Sequence, residues 1–212
     1  MEQNKSLLFI NPIKIRPVVG PIAFDYLGHV IQQAGYTIDF IDNSFSTDVK
    51  TSLKTYLTKY KPLAIGITVR NTDDCYFQSQ KSFIDDIKEI VSFIKSIQPA
   101  PIILGGVGFS LLPKEIMNYC GVDFGVQGDG EEALLSFLKA LQTDQKYSEI
   151  PNLIYRKNGD LIQNSNKFID LNSTLSVVST DCPILNVVPT KLTPVPALYV
   201  VLVSVELIVN VG

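Results

Sequence analysis

Apolar and polar residues along the chain follow two alternating patterns between Ser6 and Leu141. Short, mostly apolar runs, typical of strands in a parallel sheet, are separated by longer segments whose apolar residues recur at helical spacing. The runs predict five strands, at Ser6–Ile10, Thr37–Ile41, Leu63–Val69, Ile102–Leu104 and Asp123–Gln127. The segments between and after them predict five helices, at 21–34, 46–60 (capped by Ser46 or Thr47), 82–97, 113–119 and 131–141.

Strands that alternate with helices predict a parallel sheet with right-handed crossovers. We therefore expect an α/β fold with a five-stranded, doubly wound parallel sheet, flavodoxin-like, in strand order 2-1-3-4-5. In such sheets a ligand binds at the carboxyl ends of the strands, close to the point where the strand order reverses. The predicted binding edge is formed by residues 11–20, 68–79, 105–110 and 127–130.

The pattern changes after the last predicted helix. The pair Asn158-Gly159 lies between two short apolar runs, Leu153–Arg156 and Leu161–Gln163, which predicts a β-hairpin. Beyond Leu171 valine becomes dense and charged residues nearly disappear. We therefore divide the chain into an α/β domain at 1–145, a hairpin connector at 146–171 and an irregular, apolar C-terminal tail at 172–212. The tail is too interrupted by polar residues to predict a membrane span.

Composition narrows the classes of function. The chain has 212 residues, of which 46% are hydrophobic, and can build a substantial core. A net charge of −3 without a basic patch argues against nucleic-acid binding. Three isolated cysteines, Cys75, Cys120 and Cys182, indicate a reducing cytoplasm, and we interpret them as small buried hydrophobic residues.

Glycines follow both the fourth and the fifth predicted strand. Gly105-Gly106 comes after the fourth strand, and Gly128 and Gly130 come after the fifth. Glycine weakens a strand unless another group packs close to the backbone, which makes Gly105-Gly106 costly without a ligand. Capping of the following helix requires only one permissive residue and therefore does not explain glycine at both 128 and 130. These positions therefore predict a broad hollow in which a ligand approaches the main chain.

Several familiar site chemistries are missing from the sequence. There is no P-loop, and Gly106-Val107-Gly108 lacks the third glycine of a dinucleotide fingerprint and follows the wrong strand. Asn11 and Thr68 stand where a phospho-receiver domain needs acidic residues, and the single histidine, His29, is interpreted as a surface residue. We predict no catalytic residue. A flavodoxin-like module that binds a flavin or another protein remains an alternative, although residues 11–20 contain no hydroxyl side chain for a flavin phosphate.

The motifs at the predicted strand ends resemble, in order and spacing, those of one known family. They are Asn11-Pro12, Ala34-Gly35-Tyr36, Asp42, Ile65-Gly66-Ile67-Thr68, Leu104-Gly105-Gly106, Asp123 and Gly128-Asp129-Gly130-Glu131-Glu132. Over about Ser6 to Leu141 the chain resembles the cobalamin-binding domain at the N-terminus of cobalamin-dependent radical S-adenosylmethionine enzymes. The resemblance implies cobalamin as the cofactor. The cofactor-binding residues would be Asn11, Thr68, Gly105, Gly106, Gly128, Gly130 and Glu131.

Two departures from that family limit what the resemblance implies. Residues 11–20 contain no histidine, so we expect no protein imidazole on cobalt from this loop. The Cys-x-x-x-Cys-x-x-Cys motif that holds a [4Fe–4S] cluster is absent, so we expect no iron–sulfur cluster in this chain. We expect a truncated or frame-shifted relative that binds cobalamin without catalysis, with a separate radical domain or protein as a possible partner. The remaining alternative is a remnant whose tail prevents stable folding.

Overall fold

The computed structural model describes residues 5–14, 20–45, 48–74, 77–79, 81–143 and 146–168. The predicted tail at 172–212 and the predicted helix caps Ser46 and Thr47 lie outside this description. The strands are β1 (Ser6–Asn11), β2 (Thr37–Asp42), β3 (Ala64–Thr68), β4 (Ile102–Gly105), β5 (Phe124–Val126), β6 (Leu153–Lys157) and β7 (Asp160–Gln163). The helices are α1 (Ile22–Gln33), α2 (Val49–Lys59), α3 (Phe83–Ile97), α4 (Val107–Leu111), α5 (Pro113–Cys120) and α6 (Glu131–Gln142), with a short 3-10 helix at Tyr147–Glu149.

The described strands form one sheet in the order β2-β1-β3-β4-β5-β6-β7. The first five strands are parallel and have the predicted order, which confirms the doubly wound fold. The predicted strand count is wrong, because β6 and β7 continue the same sheet in antiparallel fashion and make it a seven-stranded mixed sheet. The hairpin pairs with β5, which would otherwise be an open edge of the sheet. The domain bounds at 145 and 171 remain a prediction.

Hydrophobic cores lie on both faces of the sheet, because successive strand residues point to opposite sides. On one face Leu8, Ile10, Ile65 and Ile67 pack with helices α2, α3 and α5. On the other face Leu7, Phe9 and Ile103 pack with α1 and α6. The hairpin contributes to both, since Ile154 belongs to the first core and Leu153 and Tyr155 belong to the second. The result is a three-layer arrangement with helices on both faces of the sheet.

Two glycines inside strands make room for aromatic rings. A Cβ atom at Gly66 would lie 2.8 Å from Cδ1 of Phe9, whose ring stacks on Phe24 of α1 with centroids 4.3 Å apart. A Cβ atom at Gly125 would lie 2.2 Å from Cζ of Phe109. Both glycines therefore serve the protein's own packing.

One side chain fixes the hairpin to the rest of the sheet. The guanidinium of Arg156 donates to Asp123 Oδ1 at 3.1 Å, to the Gly159 carbonyl at 3.0 Å and to Asn118 Oδ1 at 3.0 Å. Arg156 thereby joins β6 to the turn before β5 and to the end of α5. The planar fork of donors suits this task better than a single ammonium group.

The first turn of α2 has a cap other than the predicted ones. Asp48 Oδ1 accepts a hydrogen bond from the Lys50 backbone N–H at 3.0 Å. A short acidic side chain that accepts from the second helical residue is a favoured N-cap. No helix in the described part of the chain is long and apolar enough to cross a membrane.

Candidate functional site

The structure brings all seven predicted site residues to the carboxyl edge of the parallel strands. Asn11, Thr68 and Gly105 are the last residues of β1, β3 and β4. Gly106 caps α4, the loop from β5 to α6 contains Gly128 and Gly130, and Glu131 begins α6. In open α/β sheets this edge is where ligands bind.

Thr68 lies at the centre of this edge, next to Gly105 in the register of β3 and β4. Thr68 is only 6% exposed. Its hydroxyl oxygen lies beside Gly106, 3.0 Å from where a Cβ atom of that residue would be. A hydroxyl can donate one hydrogen bond and accept others, so Thr68 places a polar group at the strand end.

Gly106 is required by the protein's own packing. Its φ is 106°, a conformation that favours glycine, and a Cβ atom there would lie 2.8 Å from the Val69 carbonyl oxygen and 3.0 Å from Thr68 Oγ1. Gly130 is similarly close to α1, because a Cβ atom there would lie 3.2 Å from Cδ2 of Leu27. These two glycines therefore need no ligand to explain them.

Gly105 and Gly128 behave differently, since no described residue crowds them. Among the described residues, a Cβ atom at Gly105 would have only the Val126 carbonyl oxygen within 4 Å, at an ordinary contact distance of 3.8 Å. A Cβ atom at Gly128 would have no neighbour within 4 Å among the described residues, although its φ of 84° favours glycine. The open backbone predicted for this edge is thus found at Gly105 and Gly128.

Helix α4, which the sequence analysis missed, forms part of the edge. Its Gly108 N–H donates to the Arg70 carbonyl at 3.1 Å, and its Phe109 N–H donates to the Val69 carbonyl at 3.2 Å. A Cβ atom at Gly108 would lie 3.0 Å from both carbonyl oxygens. Tertiary contacts therefore override the low helix propensity of this glycine-rich segment.

Ser110 connects the loop after β4 with the loop after β5. Its hydroxyl donates to the Gly106 carbonyl at 3.0 Å and accepts from the Gly128 N–H at 3.0 Å. The Gln127 side-chain amide donates to the Ser110 carbonyl at 3.0 Å. The sequence analysis placed Ser110 in the binding edge without a role, and only the spatial proximity of the two loops supplies one.

Asn152 is a second residue that the sequence analysis missed. It is buried, it has a φ of 65°, and it precedes β6. Its side-chain amide donates to the Asp129 carbonyl at 2.9 Å and to the Lys167 carbonyl at 2.8 Å. The Pro151-Asn152 pair signals a turn in the sequence, but its partners lie far away along the chain.

Asn11 uses its side chain within the protein. It is buried, and its amide donates to Asp42 Oδ1 at 2.9 Å and to Ser44 Oγ at 3.4 Å. The other carboxylate oxygen of Asp42, Oδ2, is buried and has no hydrogen-bond partner among the described residues. Burial raises the pKa of Asp42, and hydrogen bonds from Ser44 and Asn11 lower it in part. Asn11 therefore ties the ends of β1 and β2 together.

Comparisons with known proteins agree with this geometry. Residues 11–138 match the family model described as the B12 binding domain. The tryptophan 2-C-methyltransferase of Streptomyces laurentii is 31% identical over 160 residues, which are 74% of this chain and 27% of that protein.

Solved structures give the same relationship. The radical S-adenosylmethionine methyltransferase TsrM from Kitasatospora setae, with cobalamin and a [4Fe–4S] cluster bound, is 30% identical with a TM-score of 0.74. The match covers 80% of this chain and 30% of that chain. OxsB, a cobalamin-dependent S-adenosylmethionine radical enzyme with aqua-cobalamin bound, shares the fold with a TM-score of 0.65 at 18% identity, and that match covers 81% of this chain and 24% of OxsB.

The chain spans less than a third of the length of these relatives, 27% of the methyltransferase and 30% of TsrM. The match to the family model covers more than half of the chain and includes every residue of the predicted site. The resemblance inferred from the strand-end motifs is thereby confirmed: the chain belongs to the B12 binding domain family.

Proposed function

We propose that this chain binds cobalamin across the carboxyl edge of its sheet. The observation that carries the proposal is the match of residues 11–138 to the B12 binding domain, because this range contains all seven edge residues. The chemistry of the edge fits such a ligand. Thr68 is a nearly buried residue with a hydroxyl at the strand end, and Gly105 and Gly128 leave the main chain open among the described residues.

Each edge residue has a distinct task in this proposal. Thr68 would hydrogen-bond a polar group of the cofactor, and Gly105 and Gly128 would let the cofactor come close to the main chain. Gly106 and Gly130 shape the surface by letting α4 and α1 pack closely. Glu131 and the backbone amides in the first turn of α6 would bind polar side arms of the corrin. Asn11 holds the end of β1 in place through Asp42.

When bound, cobalamin supplies a cobalt centre that can carry a methyl group or assist a radical reaction. The chain's own residues bind and orient the cofactor, and we assign none of them a catalytic role. We propose that an iron–sulfur-containing radical domain or protein supplies the remaining chemistry, because TsrM holds both cobalamin and a cluster. We place the protein in the cytoplasm on the basis of its isolated cysteines.

Equilibrium dialysis of the purified chain against hydroxocobalamin tests the proposal. We expect the corrin absorbance to be retained with the protein at a one-to-one ratio. Parallel dialysis against flavin mononucleotide tests the flavodoxin-like alternative, for which no retention is expected. Retention of flavin without retention of corrin would overturn the cobalamin proposal.

A pair of threonine variants locates the binding to the edge. Thr68→Val removes the hydroxyl but keeps the shape of the side chain, and we expect it to weaken hydroxocobalamin binding about three- to tenfold, the effect of one hydrogen bond. Thr37→Val makes the same change at an exposed position at the opposite end of the sheet and should have no effect. Equal affinities for the two variants would place the cofactor elsewhere.

A further inference from the structure

Asn152 lies between two segments that are distant in sequence. One is the loop after β5, residues 127–130, which belongs to the proposed cofactor site. The other is the segment 164–168, which leads towards the remainder of the chain. The Asn152 side chain contacts both, since it donates to the Asp129 carbonyl at 2.9 Å and to the Lys167 carbonyl at 2.8 Å.

The remaining hydrogen-bonding groups of Asn152 make the same two connections. Its Oδ1 accepts from the Lys167 N–H at 2.6 Å, and its backbone N–H donates to the Ser165 carbonyl at 3.0 Å. Its backbone carbonyl accepts from the Gln127 N–H at 3.0 Å. Both amide hydrogens and the amide oxygen of the side chain are therefore used, at a position that is only 6% exposed.

These contacts are stronger links than the nearby ion pair. Lys167 Nζ lies 2.6 Å from Glu132 Oε2, but both side chains are more than half exposed, so the pair contributes little. Loss of the Asn152 amide would instead remove this donor from the carbonyl groups of Asp129 and Lys167, at a part-buried position. The side chain of Asn152 thus joins the two segments directly.

We propose that Asn152 is a positioning residue for the cofactor site, which couples the loop at 127–130 to the segment at 164–168. This inference rests on the proposed function, since it assumes that cobalamin contacts the loop. Asn152 fixes the position of Asp129 through the hydrogen bond to its carbonyl. It thereby also holds the backbone around Gly128 in the conformation that binds the cofactor. Coupling between two sites is reciprocal, so cofactor that stabilises the loop also stabilises the segment 164–168.

The substitution Asn152→Gly tests the coupling with little disturbance of the backbone. The φ of 65° at Asn152 is one that glycine adopts readily, so the variant removes the amide and keeps the turn. Asn158→Gly is the matched control, because Asn158 also has a positive φ, of 53°, but lies in the exposed hairpin turn. We expect about tenfold weaker hydroxocobalamin binding for Asn152→Gly and an unchanged affinity for Asn158→Gly.

Hydrogen exchange followed by mass spectrometry gives a readout that general destabilisation would not produce. In the wild-type chain, hydroxocobalamin should slow amide exchange at 164–168 as well as at 127–130. In Asn152→Gly the protection at 164–168 should be lost. In ligand-free protein the same variant should speed exchange in both segments together, whereas Asn158→Gly should speed neither.

A second variant guards against poor folding of the first. Asn152→Asp keeps the size of the side chain but replaces Nδ2, which donates to two carbonyl groups, with an oxygen that repels them. We therefore expect it to weaken hydroxocobalamin binding at least as much as Asn152→Gly does. Wild-type affinity and wild-type exchange in both variants would overturn the role of Asn152. Failure of the wild-type chain to bind corrin would instead overturn the proposed function. If Asn152→Gly without ligand exchanged faster at only one of the segments 127–130 and 164–168, the coupling would be overturned.

Discussion

Gly105 and Gly106 are neighbours in sequence, yet the structure gives them different reasons to be glycine. A methyl group at Gly105 meets no close protein atom, whereas one at Gly106 meets the Val69 carbonyl oxygen at 2.8 Å. We expect Gly105→Ala to keep or raise the free energy of unfolding, by up to about 1 kcal/mol, and to weaken hydroxocobalamin binding about tenfold, because the methyl group occupies space needed by the ligand. Gly106→Ala should lower the free energy of unfolding by about 1–3 kcal/mol even without ligand.

Urea denaturation and equilibrium dialysis of the two alanine variants separate these effects. The wild-type chain is the reference for both measurements. Loss of stability in Gly105→Ala, or full stability in Gly106→Ala, would show that the contacts of these glycines have been assigned wrongly.

The carboxyl group of Asp42 makes a residue-level prediction about pH. Burial raises its pKa, so the folded chain holds this proton more tightly than the unfolded chain does. The associated stabilisation is complete below the ordinary pKa of 3.8 and is lost as the pH rises through the folded-state pKa. Asp42→Asn keeps Oδ1 as the acceptor for Asn11 and Ser44 and removes the charge. We therefore expect it to raise the urea midpoint at pH 7.

The difference between Asp42→Asn and the wild-type chain should shrink as the pH falls through the folded-state pKa of Asp42 and should be smallest below 3.8. Asp160→Asn, at an exposed position in the hairpin, is the control and should leave the midpoint unchanged. A difference that grows towards acidic pH would contradict the assignment of Asp42 as a buried, incompletely hydrogen-bonded carboxylate.

Among the elements, those with a clear hydrophobic period were predictable from sequence. Helix α3 buries Phe83, Ile87, Ile90, Val91 and Ile94, which recur at helical spacing within the predicted segment 82–97. Helix α1, within the predicted segment 21–34, follows its apolar pattern less closely, because Ile22 is 54% exposed. The buried residues of α1 are Phe24, Gly28 and Ile31. Phe24 turns the helix towards the sheet by stacking on Phe9, a contact that no periodicity reveals.

Helix α4 and the continuation of the sheet into the hairpin depend on long-range contacts. Gly108 and Phe109 are helical because carbonyl groups of Val69 and Arg70 accept their N–H groups. The hairpin itself was predicted from Asn158-Gly159, but its pairing with β5 needs Arg156 and Asp123 to meet across 33 residues. Local sequence patterns carry no information about such partners.

The docking of the hairpin makes a prediction at the level of elements. Arg156→Ala removes hydrogen bonds to Asp123, Asn118 and the Gly159 carbonyl, and should lower the free energy of unfolding by about 1–2 kcal/mol. Lys157→Ala, at the adjacent exposed position, should change it by less than about 0.5 kcal/mol. Equal values from urea denaturation would mean that Arg156 does not hold the hairpin.

On the scale of the whole molecule, the hairpin belongs to the hydrophobic cores. Ile150, Leu153, Ile154 and Tyr155 are buried, and they divide between the two faces of the sheet. We expect a chain of residues 1–168 to unfold cooperatively and to bind hydroxocobalamin like the full chain. A chain of residues 1–145 should lose on the order of 5 kcal/mol or more, comparable to the total stability of a small domain.

Circular dichroism melts of the two shortened chains check this expectation. Cooperative melting of residues 1–145 at the temperature of residues 1–168 would show that the hairpin is dispensable. It would also support the predicted domain boundary at 145.

The function of the molecule was accessible from sequence because the edge motifs occur in a fixed order. No single motif identified the family, but the strand-end residues from Asn11 to Glu131 did so together, and the match over 11–138 agrees. The different structural roles of the four glycines could not be predicted from the sequence. Gly106 and Gly130 resemble Gly105 and Gly128 in sequence, and only the positions of Val69 and Leu27 distinguish them.

The bridge made by Ser110 has a thermodynamic consequence for ligand capture. Since its hydroxyl joins Gly106 to Gly128, the turns that follow β4 and β5 are held to each other by the protein's own hydrogen bonds. A pre-ordered surface loses little conformational entropy on association, so more of the contact energy remains as affinity. Encounter should then be governed by diffusion and orientation, without a slow folding step.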